Sequence, residues 1–124
     1  MPDKVIDASA LAALAFAEPE ADAVLDAIDG HRLHAPTLVV FELMHVAWKR
    51  SKKQPAATSL FLEALEVLEG LGLRFRGINQ GAVVRLGLST GLTAYDATYL
   101  WLARALGMPL VTLDKKLGAH ATDL

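Results

Sequence analysis

Four short strand-like runs, Val5-Ile6, Arg32 to Ala35, Leu73 to Phe75 and Leu110 to Thr112, alternate with longer stretches of helical periodicity. Strands separated by helices run parallel, because only a crossover of a dozen or more residues returns the chain to the same end of a sheet. A parallel sheet in turn needs apolar cover on both faces. The order therefore predicts an α/β chain in three layers, α/β/α, with a short central parallel sheet flanked by helices.

Between these runs, Ser9 to Ala17 reads as a helix, and Pro19 interrupts it before a second helix over Glu20 to Ile28. Pro36 is suited to opening a helix that runs to about Lys53. Pro55 begins another, along the Leu60, Ala64, Leu65, Leu68 stripe, which Gly70 and Gly72 end. Asn79 to Ser89 is predicted helical despite Gly81 and Gly87, and Thr93 to Leu106, apolar nearly all round, is placed in the core.

The 124 residues suit one domain spanning 1–124. A hydrophobic fraction of 53% and a mean hydropathy of +0.35 leave apolar side chains on the surface of so small a body, which points to a partner or a homo-oligomer. With 12 Lys+Arg against 14 Asp+Glu the net charge is −2, so any attraction to a polyanion is local or metal-mediated. The absence of cysteine excludes disulfides, thiolate metal sites and a Cys nucleophile, and agrees with a reducing compartment. Met1-Pro2-Asp3-Lys4 lacks the basic-then-apolar layout of a secretory signal, and polar residues including Asp96 interrupt Leu86 to Ala103. The expectation is a soluble, cytoplasmic protein without a membrane span.

Charge placement is more specific. Asp7 is the only charged residue between Lys4 and Glu18, Glu42 between Arg32 and Lys49, and Asp96 between Arg85 and Arg104, while Asp114 closes the uncharged run after Arg104. A lone carboxylate on a surface to be buried costs several kcal/mol unless it is neutralised or hydrogen-bonded. Asp7 and Asp114 fall just past strand ends, where open parallel sheets bind ligands. Glu42 and Asp96 fall near helix beginnings, where backbone N–H groups favour negative charge.

Four converging acids would repel strongly, by roughly 4 kcal/mol for each pair about 4 Å apart at an effective dielectric near 20. Such a pocket calls for a cation, and all-oxygen ligation suits Mg²⁺ or Mn²⁺ better than zinc. The chemistry suggested is metal-assisted phosphodiester hydrolysis.

The segments Val5-Ile6-Asp7-Ala8-Ser9-Ala10-Leu11, Pro36 through Glu42-Leu43, Tyr95 through Ala103, and Leu110-Val111-Thr112-Leu113-Asp114 together resemble the PIN-domain ribonucleases. In its short, freestanding form the chain is similar to a VapC-type toxin of a toxin–antitoxin pair. That resemblance covers essentially the whole chain and implies a PIN-like fold and a Mg²⁺- or Mn²⁺-dependent endoribonuclease. It implies that Asp7, Glu42, Asp96 and Asp114 bind metal and activate water, with Ser9 and Thr112 as supporting hydroxyls. Expected partners are an RNA substrate, a cognate antitoxin and a second copy of the chain in a homodimer.

Each of these residues also has an ordinary reading. Asp7 or Ser9, Asp96 and Asp114 can cap helices or turns, and Glu42 can snorkel to solvent. His45 is read as a hydrogen-bonded structural histidine, since the second Glu-x-x-His of a di-iron bundle is missing. Lys49, Arg50, Lys52 and Lys53 are either RNA contacts or a solvated helix end. Lys115 and Lys116 are read as surface charges. Trp48 and Trp101 are placed in the core in preference to a base-stacking role. Leu11, Leu14, Ala15 and Phe16 are read as helix packing, or as a groove for an antitoxin segment.

Two other functions compete with the nuclease. A phosphoacceptor signalling domain needs paired acids after the first strand and an Asp ending a central one, whereas Arg76 and Gly77 follow Leu73 to Phe75. A binding-only PIN domain fits less well with a complete acidic quartet.

Overall fold

The computed structural model describes residues 2–121. Its sheet has four strands, β1 (Asp3–Ile6), β2 (Arg32–Ala35), β3 (Arg74–Phe75) and β4 (Leu110–Val111), all parallel in the order β3-β2-β1-β4. The helices are α1 (Ala8–Ala15), α2 (Ala21–Ile28), α3 (Leu38–Lys53), α4 (Thr58–Glu69), α5 (Gln80–Thr90), α6 (Ala94–Leu106) and α7 (Lys115–Ala121).

Register does the main positioning. Val5 pairs with Leu110 and Ile6 with Val111, so the chain leaving β1 at Asp7 lies beside the chain leaving β4 at Thr112. The Asp7 amide donates to the Val111 carbonyl at 3.1 Å, continuing the ladder past the strand end. Val5 and Ile6 are fully buried, as is the apolar spine of α6, where Ala97, Leu100 and Ala103 have no exposed surface.

Helix α5 packs on α6 through Gly87, which is buried; a Cβ there would lie 3.1 Å from the Leu92 carbonyl oxygen. The glycine that weakens the helical pattern is thus what lets the α5–α6 connection turn back closely over α5 at Leu92. Gly91 ends α5 at φ 77°, a conformation other residues avoid.

The structure corrects several sequence expectations. Pro55 opens only a single 3₁₀ turn, Pro55–Ala57, before α4 begins at Thr58. Helix α7, built from the basic and small residues after Asp114, carries too short an apolar pattern to be read from sequence. Trp48, expected in the core, is 55% exposed on α3, whereas Trp101 packs partly buried against the core as expected. His45 is not a hydrogen-bonded structural residue: it is exposed and stacks on Trp48, with ring centroids 5.4 Å apart. Among the described residues, no helix is long and apolar enough to cross a membrane.

Candidate active site

Asp7 is 4% exposed and held on three sides. As the N-cap of α1 it accepts from the Ala10 amide at 3.0 Å. Ser9 Oγ donates to its Oδ1 at 2.7 Å, and Thr112 Oγ1 donates to its Oδ2 at 2.5 Å. Ser9 Oγ also accepts from the Leu113 amide at 3.0 Å, and Thr112 Oγ1 from the Asp114 amide at 3.1 Å. Two hydroxyls therefore tie the end of β1 to the end of β4 and fix the loop that carries Asp114. Substituting Ser9→Ala orphans the Leu113 amide and removes one donor from a buried carboxylate. We expect it to lower stability by about 1–2 kcal/mol, read by chemical denaturation.

Asp114 lies just past β4, and its Oδ1 accepts from the Leu117 amide at 2.9 Å, so it caps α7. Asp96 sits in the first turn of α6; its amide donates to Thr93 Oγ1 at 3.2 Å. The capping readings of Asp7 and Asp114 are thus correct, and they do not compete with a site, because each carboxylate oxygen has two lone pairs and the cap takes one of them.

Glu42, in the second turn of α3, does not simply snorkel: Tyr99 Oη donates to its Oε1 at 2.5 Å. Tyr99 is the site residue that sequence reading passed over. Its signal was present, since a tyrosine three residues after Asp96 in a helix apolar all round needs a buried partner for its hydroxyl. Burial and the neighbouring Glu42 carboxylate raise the Tyr99 phenol far above its ordinary range, so it stays a donor.

The four acids interact through space. Asp7 is raised above the usual carboxylate range chiefly by burial, against its hydrogen bonds, and Asp114 adds to the rise. Burial likewise raises Glu42 despite the Tyr99 hydrogen bond, with further push from Asp96 and Asp7. Asp96 is raised by burial and then by Asp114 and Asp7, with the Lys116 ammonium opposing. Four carboxylates from four separate segments thus lie within electrostatic reach of one another, two of them, Asp7 and Asp114, just past the ends of the neighbouring strands β1 and β4.

Among the described residues, no three acidic or histidine side chains close tightly enough to cage an ion by themselves. The donor set is oxygen only, partly solvated, and destabilised by its own charge. That combination fits a hard divalent ion that keeps several of its waters and binds through a few carboxylates.

A cavity of about 550 Å³ opens beside Glu42, lined by Ala8, Ala12, Leu38, Phe41, His45 and Val46 together with Ser9, Glu42 and Tyr95. The basic residues of α3 lie farther along the helix: Lys49, Lys52 and Lys53 are exposed, while Arg50 pairs with Glu18 at 3.4 Å and lies over the Phe16 ring. Lys116 donates to the Gly91 carbonyl at 2.8 Å beside the acids, so it is more than a free surface charge.

The chain is 30% identical over 118 residues to ribonuclease VapC3 of Pyrobaculum aerophilum, covering 91% of this chain and 90% of that protein. It is 34% identical over 122 residues to exonuclease VapC9 of the same organism, covering 91% of this chain and 81% of that protein. The crystal structure of PAE2754 from Pyrobaculum aerophilum superposes with a TM-score of 0.80 at 27% identity, covering 97% of this chain and 85% of that one. The PIN domain family matches residues 4–122, and with the acids gathered at the carboxyl edge of its parallel sheet this chain belongs to the PIN domain family.

Proposed function

We propose that the protein is a metal-dependent endoribonuclease that hydrolyses RNA phosphodiester bonds as the toxin of a toxin–antitoxin pair in the cytoplasm. The observation that carries the reading is the pairing of β1 with β4, which sets Asp7 and Asp114 side by side past the strand ends, with Glu42 and Asp96 within electrostatic reach of them. These four would hold Mg²⁺ or Mn²⁺, which when bound supplies Lewis acidity and an activated water for attack on phosphorus.

The chain's own residues do the rest. Thr112, Ser9 and the Ala10 amide fix the Asp7 carboxylate, Tyr99 fixes Glu42, and Lys116 stands close enough to Asp96 to attract a phosphate. The exposed Lys49, Lys52 and Lys53, with Arg50, draw RNA toward the acids from the far end of α3.

The names of the two relatives differ, one a ribonuclease and the other an exonuclease. A circular single-stranded RNA separates the modes, since it has no end. With millimolar Mg²⁺ or Mn²⁺ the purified protein is expected to linearise the circle, seen as a mobility change on a denaturing gel. Digestion of linear RNA alone, with circles left intact, contradicts the endonucleolytic reading.

The apolar cavity between α1 and α3 suits an antitoxin helix or chain end, whose binding there would cover Glu42 and close the site. On the other side of Tyr95, exposed Phe75, Ile78 and Val84 line a second cavity of about 530 Å³. That apolar surface suits the second copy in a homodimer.

A further inference from the structure

Helix α3 carries a second feature that the acidic site does not use. Phe41, His45, Trp48 and Lys52 follow one another at spacings of four, three and four residues, so they share one face of the helix. All four are exposed, Phe41 at 62% and Trp48 at 55%. Each exposed ring leaves apolar area in water that burial would recover at about 25 cal/mol per Å².

The stripe is ordered and directional. The His45 and Trp48 rings stack with planes 23° apart, and the Lys52 ammonium lies 4.6 Å from the centre of the Trp48 ring. At one end Phe41 and His45 line the cavity that holds Glu42. At the other lie Lys49, Lys52 and Lys53, and α3 carries no acid after Glu42. Cations at a helix end are explained by the dipole, but the line of exposed rings leading from them to the acids is not.

We propose that this face is a track for single-stranded RNA, on which bases stack while lysines hold the phosphates, delivering the strand to the acidic site. The inference rests on the nuclease reading and adds to it where the strand runs. The chemistry decides between occupants. An apolar peptide or a second copy would gain nothing from three exposed lysines with no acid among them, whereas a polyanion with planar bases matches both features. His45 holds the Trp48 indole in a fixed plane. An incoming base takes the ring face that Lys52 covers in the free protein, and the released ammonium moves to a phosphate. Because Phe41 and His45 also line the proposed antitoxin groove, inhibitor and substrate compete for the same rings.

The test uses a labelled oligouridylate of about 12 nucleotides in EDTA, so that binding is read by fluorescence anisotropy without cutting. Trp48→Ala is expected to weaken binding about tenfold or more, the usual effect of losing one stacking ring, whereas Trp48→Phe stays close to wild type. Affinity for duplex RNA is expected to change little in either variant. In Mg²⁺, Trp48→Ala should raise KM and leave kcat near wild type, while the metal-induced rise in melting temperature is unaltered. Wild-type affinity in Trp48→Ala overturns the track. So does a fall in oligomeric mass by light scattering with RNA binding retained, which assigns the face to a second copy. If no metal shift and no cleavage are seen for the wild type, yet binding still depends on Trp48, the nuclease reading falls and the RNA track stands.

Discussion

Asp96→Asn is expected to abolish RNA cleavage, with a loss of at least about a hundredfold and an intact fold. Groups that merely orient metal-binding side chains already account for about 10- to 100-fold when removed, so loss of an acid of the quartet itself sets that as a floor. The substitution is isosteric, and the backbone amide of residue 96 still donates to Thr93 Oγ1 to start α6. What it removes is one negative charge that presses on Glu42 and is itself pressed by Asp114 and Asp7. The assignment requires three readouts together: loss of cleavage, a far-ultraviolet spectrum like wild type, and a weakened response of melting temperature to Mg²⁺. Undiminished cleavage by a folded Asp96→Asn would remove Asp96 from the chemistry and, with it, the argument from the quartet.

The fold was largely legible because its signals are local. Pro36 and Gly91 mark helix boundaries, and the apolar run of α6 identifies the buried helix without any knowledge of its neighbours. The acids were legible for a related reason: an isolated charge in an apolar stretch is conspicuous in one dimension. What could not be read was anything set by register. The family resemblance marks Thr112 as a supporting hydroxyl, but no local pattern says that it meets Asp7 across 105 residues; the pairing of Ile6 with Val111 decides it. The Tyr99–Glu42 hydrogen bond, between α6 and α3, was hidden in the same way.

Trp48 and His45 failed for a different physical reason. Burial of an aromatic is a statement about helix phase, and α3 buries Val39, Leu43 and Ala47. That stripe turns positions 41, 45 and 48 outward. A count of apolar residues in the helix cannot see this, but the phase can: taking the small Ala47 as the inward position, with Leu43 one turn before it, puts Trp48 on the outer face. The network at the opposite end of β1 was likewise invisible. Arg32 Nη2 donates to Asp3 Oδ2 at 3.1 Å, with the guanidinium Nε 2.8 Å from Oδ1 in the same ion pair; Asp3 Oδ1 also pairs with the buried His34 at 3.0 Å, and Arg76 reaches the other His34 ring nitrogen at 3.4 Å. It ties β1, β2 and the segment after β3 together across the sheet.

Metal-free protein is expected to lose stability as pH rises above the ordinary carboxylate range, and a divalent ion is expected to restore it. Asp7, Glu42 and Asp96 all titrate above their ordinary values of 3.8, 4.5 and 3.8 in the folded state. A folded pKa above the unfolded one means that the native state holds protons the unfolded chain has released. The stabilisation is therefore complete below the ordinary values and disappears as pH climbs through the raised ones. Asp3 runs the other way, because its bonds to His34 and Arg32 lower it, and its contribution is lost only in strong acid. Above the raised values the acids stand ionised and repel, which is the state a cation relieves. An ion that binds only the folded protein at a hundred times its dissociation constant adds about 2.7 kcal/mol. For a domain of this size that corresponds to a melting temperature higher by about 10 °C. Asp96→Asn should flatten the pH dependence of the metal-free protein and shrink the metal shift together, because both come from the same carboxylate cluster. Thermal scans with EDTA and with millimolar Mg²⁺ or Mn²⁺ at several pH values decide the matter. Equal melting temperatures with and without ion at pH 8 would mean that these carboxylates, though gathered, hold no metal.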